Sequence, residues 1–94
     1  MPHLLVWNQV RDFARWLAVF EADAEAHREA GLELERVWRT RDDPNQVFFV
    51  FFVGDLERAN AFMDDPVAKE HAEAAGVVRG FAHFLDAVPL APET

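Results

Sequence analysis

Apolar residues recur along the chain with two different periods, and the changes of period divide it into six elements. Leu4 to Val10 is a short run that predicts a strand. Arg11-Asp12 ends it, and Asp12 is a good N-cap for a helix starting at Phe13. Between Phe13 and Ala30 the apolar positions are Phe13, Trp16, Leu17, Phe20 and Ala24. Spacings of 3, 1, 3 and 4 make one stripe on one helix, and Gly31 stops it. Leu32 to Thr40 is a second strand. Its charged residues Glu33, Glu35, Arg36 and Arg39 suggest a sheet edge, where cross-strand ion pairs are the simplest reading of them. Arg41-Asp42-Asp43-Pro44-Asn45 is a hairpin turn, and Gln46 to Val53 is a third strand, apolar at nearly every position. Gly54 and Asp55 open a second helix with the stripe Leu56, Ala59 and Met63. Asp64-Asp65-Pro66 interrupts that helix. Pro66 suits the first turn of a renewed helix running to about Ala75, which Gly76 ends. Val77 to Val88 contains a last strand centred on Phe81 to Leu85.

The order β-α-β-β-α-β, in one domain spanning residues 1–94, supplies helices for only one face of a four-stranded sheet. The strands nevertheless carry apolar side chains on both faces. Val47, Phe49, Phe51 and Val53 oppose Phe48, Val50 and Phe52, while Leu4 and Val6 oppose Leu5 and Trp7. A sheet with one wet face alternates apolar and polar residues, and this one does not. The second face needs a cover, and the simplest cover is another copy of the same chain. The expectation is a homodimer through the sheet face.

Composition narrows the partners. Seventeen acidic and nine basic residues give a net charge of −8, and Lys69 is the only lysine. That excludes the basic face of a nucleic-acid binder and disfavours an anionic membrane surface. No apolar run is long enough to span a bilayer. Met1 to Trp7 lacks the pattern of a signal peptide, so the expected location is cytoplasmic. The absence of cysteine removes thiol catalysis, disulfides and thiolate metal sites. There is no phosphate-binding glycine loop, Rossmann fingerprint, H-E-x-x-H motif or nucleophile elbow. The expectation is therefore no nucleotide cofactor.

Candidate chemistry rests on the histidines, which titrate near neutrality. His27, at the end of the first helix, falls roughly 40° from Phe13 at about 100° per residue, beside the apolar stripe. His71 sits beside the apolar face of the renewed second helix, four residues after Val67. Either suits a general base; a half-exposed helix histidine is the plain alternative. His83 lies on the last strand between Phe81 and Leu85, where a buried histidine usually serves only to hydrogen-bond. His3 is near the terminus. No spacing signature gathers these histidines around a metal.

The pattern resembles the dimeric α/β-barrel superfamily, and within it the small domains related to antibiotic-biosynthesis monooxygenases. The likeness rests on His3-Leu4-Leu5-Val6, on Val10-Arg11-Asp12-Phe13 with Trp16 and Phe20, and on Arg28-Glu29-Ala30-Gly31. It continues through Asp42-Asp43-Pro44-Asn45, Asp55-Leu56-Glu57-Arg58-Ala59 with Ala61-Phe62, and Ala75-Gly76-Val77. It implies an α+β, ferredoxin-like βαββαβ domain with a four-stranded antiparallel sheet, paired into a dimeric barrel. It also implies a small-molecule enzyme of secondary metabolism without an organic cofactor. The substrate would be apolar, aromatic or polyketide-like, and the reaction either oxygenation or cyclisation/isomerisation by proton transfer. His27 and His71 are the candidate bases. Asn8 is the candidate for polarising a substrate carbonyl, by resemblance to oxygenases in which an Asn and a Trp serve the pocket. Trp7, Trp16, Phe20, Phe49, Phe51 and His83 are the expected substrate-binding residues. The alternatives are a non-catalytic ligand-binding or stress-related dimer, and a purely structural dimer.

Overall fold

A computed structural model describes residues 2–91. Strands β1 (Pro2–Val10), β2 (Leu32–Arg39), β3 (Gln46–Val53) and β4 (Val77–Asp86) form one antiparallel sheet in the order β2-β3-β1-β4. Helices α1 (Phe13–Ala22) and α2 (Ala24–Glu29) connect β1 to β2. Helices α3 (Leu56–Asp64) and α4 (Pro66–Ala74) connect β3 to β4. The element order follows the periodicity once each broken helix is counted as one, the arrangement is the ferredoxin-like α+β fold that the resemblance implies, and the charged β2 lies at an edge.

The first helix departs from prediction. It is interrupted at Asp23, which has φ −90° and ψ 6°. The hydrogen-bond ladder nevertheless crosses the break: the Asp23 N–H donates to Val19 O at 3.1 Å, and the His27 N–H donates to Asp23 O at 3.0 Å. The helical phase therefore survives, and His27 faces the direction the stripe assigns it.

Helix entry is local chemistry. Asp12 accepts from the Ala14 N–H, Asp55 from the Arg58 N–H and Asp65 from the Val67 N–H. Asn45, in the hairpin turn, adds an acceptor for the Phe13 N–H at 3.2 Å and ties β3 to the start of α1. Gly31 has φ +76°, and a Cβ there would meet the Asp55 Cβ at 2.8 Å. Only glycine fits the point where α2 turns into β2 beside the cap of α3.

The core lies between the sheet and the helices. Leu4, Val6, Val10, Leu32, Val47, Phe49, Phe51 and Val53 cover the inner sheet face, and Trp16, Ala30, Ala59 and Ala75 close it from the other side. Burying an aromatic side chain of this size contributes roughly 25 cal/mol per Å2 removed from water. Among the described residues, none of the chain's helices covers the outer face. Register places Trp38, Phe48, Trp7 and Phe81 side by side across all four strands. Trp38 is 46% and Phe81 42% exposed.

Candidate functional site

Side-chain alternation on β1 and β3 decides which residues look toward the helices. Leu4, Val6 and Asn8 point inward from β1, and Phe49 and Phe51 from β3. The two helical connections do not close fully over them. A cavity of about 170 Å3 remains between the inner sheet face and the helices.

Its walls are aromatic. The Trp16 ring stacks on Phe20 with centroids 4.7 Å apart and tilts against Phe49 at 5.4 Å. Phe20 meets Phe49 edge-on at 5.0 Å, and Phe49 meets Phe51 edge-on at 5.7 Å. Such pairs fix ring positions beyond what area burial alone achieves.

Four polar side chains reach the cavity: Asn8, Asp23, His27 and His71. His27 is boxed by Phe20, Phe51 and Phe62, at centroid distances of 5.0, 5.2 and 5.7 Å. Burial there lowers its pKa below the ordinary histidine value. The Asp23 carboxylate opposes the effect, and His71 adds to it. His71 Nδ1 lies 3.2 Å from Asp23 Oδ2, an interaction that joins α4 to the break between α1 and α2. Asn8 sits opposite Gly80 of β4, and a Cβ at position 80 would stand 2.6 Å from Asn8 Oδ1. Glycine at that position makes room for the amide.

The cavity thus brings together Asn8, His27, His71, Trp16, Phe20, Phe49 and Phe51. It does not include Trp7 or His83. Both lie on the outer sheet face, where Trp7 packs beside Phe81 at 5.5 Å and His83 beside Phe81 at 5.1 Å. Odd-numbered β1 residues point outward, so Trp7 and its neighbour Asn8 serve opposite faces. His83 pairs with Leu5 in the same outward set and is exposed, not buried in the strand as its sequence setting suggests. His3 is also on the outer face, with Nε2 3.0 Å from Glu35 Oε1.

Asp23 is the site residue that sequence reasoning missed. The signal was its position: it follows Trp16 by seven residues and Phe20 by three, so it is an acid on the apolar stripe, four residues before His27. Among the described residues, no three His, Asp or Glu side chains group so as to hold a metal ion. Nor, among those residues, is any helix long and apolar enough to cross a membrane.

The fold and cavity together define an α+β ferredoxin-like domain with an aromatic-walled pocket beneath its sheet. Solved structures of antibiotic-biosynthesis-monooxygenase-like proteins share this fold over nearly the whole chain. SnoaB, a cofactor-independent oxygenase from Streptomyces nogalater, matches with TM-scores of 0.70 and 0.74 in two structures, at 20% identity, covering 98% of this chain and 97% of its own. An antibiotic biosynthesis monooxygenase matches at TM-score 0.70 and 17% identity, over 95% of this chain and 100% of its own. A NIPSNAP domain protein from Burkholderia xenovorans matches at TM-score 0.67 and 14% identity, over 99% of this chain and 100% of its own. No family model and no curated protein matches the chain.

Proposed function

We propose that this protein is a small-molecule enzyme of secondary metabolism. It acts without an organic cofactor on an apolar aromatic substrate, and it works as a homodimer. The observation that carries this reading is the composition of the cavity. Its walls are mostly aromatic and aliphatic, and only a few polar groups, Asn8, His27 and His71 among them, meet the space between them. A neutral imidazole in such a setting accepts a proton, and an amide donates to a developing oxyanion. Oxygenation and isomerisation of an aromatic hydroxyl or carbonyl compound both begin with that proton transfer. The likeness to SnoaB and to a monooxygenase is in keeping with this chemistry.

The outer sheet face supports the dimer. Its row of Trp38, Phe48, Trp7 and Phe81 is a contiguous apolar strip, which a second copy of the chain would cover. Native mass spectrometry of the purified protein, followed by denaturation, tests the proposal. The expected result is twice the chain mass and release of an apolar aromatic compound. A bare monomer that turns over no aromatic substrate contradicts it.

A further inference from the structure

We infer that Asp23 and His71 act as a carboxylate–imidazole pair that takes the proton of an uncharged, single-ring phenol held in the cavity. The inference rests on the proposed enzymatic function and adds to it the proton acceptor, its positioning residue and the class of substrate.

The first observation concerns what the Asp23 side chain does. Three other aspartates, Asp12, Asp55 and Asp65, precede helices and accept hydrogen bonds from backbone N–H groups. Asp23 occupies the same position before α2 and makes no side-chain cap. Its carboxylate is turned instead to a residue 48 positions away, His71.

Second, the geometry fixes the imidazole. With Nδ1–H donating to Asp23 Oδ2, the lone pair resides on Nε2, and Nε2 has no hydrogen-bond partner among the described residues. This is the arrangement by which a carboxylate sets the tautomer of a catalytic base. His27 differs. Its ring is held among three phenylalanines, and burial opposes its protonation. An imidazolium at His71 would be paired at once with Asp23. The other ionisable groups around His71 are His27 and Glu29 of α2, Arg58 of α3 and Asp65 at the α3–α4 junction, with Lys69, Glu70 and Glu73 near it on and about its own helix.

Third, the cavity sets the substrate. A dry cavity of roughly 150 Å3 is enough to bind benzene. The 170 Å3 here therefore has room for one ring with a small substituent. Among the described residues no Arg or Lys lines it, so none of them compensates a carboxylate or phosphate on the ligand. In the step itself the phenol O–H bond breaks and its electron pair stays on oxygen. The proton goes to His71 Nε2, and Asp23 remains ionised as the acceptor of Nδ1–H. Asp23 is a positioning residue; His71 is the base.

The test uses 4-nitrophenol, whose phenolate absorbs at longer wavelength than the neutral phenol. Below the midpoint of free 4-nitrophenol, binding to the wild-type protein is expected to raise the phenolate-to-phenol ratio about tenfold or more. Asp23→Asn and His71→Gln should still bind the compound but lose that gain. In 15N NMR at alkaline pH, wild-type His71 should be the Nδ1–H tautomer, and Asp23→Asn should move it toward Nε2–H, a change that a merely structural role would not produce. Binding without a gain in phenolate, or a gain that survives Asp23→Asn, overturns the pair and leaves the cavity reading intact. The wild-type measurement alone can give the first of these results, whatever the variants' folding. No binding at all overturns the substrate class and the proposed function with it.

Discussion

At the scale of single residues, Gly80 and Asn8 form a lock. Gly80 lies opposite Asn8 in the β1–β4 register, and a Cβ there would collide with Asn8 Oδ1 and with the Trp7 carbonyl oxygen. Gly80→Ala should therefore cost about 1–3 kcal/mol, the usual penalty for overpacking, and should displace the amide from the cavity. Chemical denaturation checks the first effect, and a loss of aromatic ligand affinity checks the second. His27 is the other informative residue. Because burial lowers its folded-state pKa below the unfolded value of 6.5, the unfolded chain binds the proton more readily. Its contribution is neutral above 6.5, and stability is lost as pH falls from there toward the folded pKa. Melting temperature should drop across that window in the wild type, and His27→Phe, which fits the same aromatic box, should flatten the drop.

At the scale of elements, caps, stops and periods were legible in the sequence because each depends on neighbours close along the chain. The β2–β3 hairpin, the Pro66 restart and the Gly31 and Gly76 stops all lie where local rules put them. The stripe on α1 and α2 gave the orientation of His27 because the hydrogen-bond ladder continues through Asp23. The break itself was not legible. Asp23 leaves ideal helix geometry at a residue whose carboxylate engages a ring 48 positions away, and no local pattern encodes such a partner. Trp7 and His83 lie apart from the cavity for a different reason. On a strand apolar on both sides, composition does not say which face looks toward the helices, and one residue of register reverses the answer. Trp7 and Asn8, adjacent on one strand, point to opposite faces and do not share a pocket.

At the scale of the whole molecule, two surfaces ask for different partners. The inner cavity is small, aromatic and furnished with four polar groups, and it is suited to a small ring. The outer face is broad and apolar, and it is suited to another sheet. The three tryptophans report on this division: Trp16 is buried against the cavity, while Trp7 and Trp38 lie on the outer face. The most direct test tracks their indole N–H signals by NMR as phenol is added. Binding beneath the sheet should shift Trp16 together with the rings of His27 and His71 and leave Trp7 and Trp38 in place. Shifts confined to Trp7, Trp38 and His83 would put the ligand on the outer face and contradict the assignment of the cavity as the functional site.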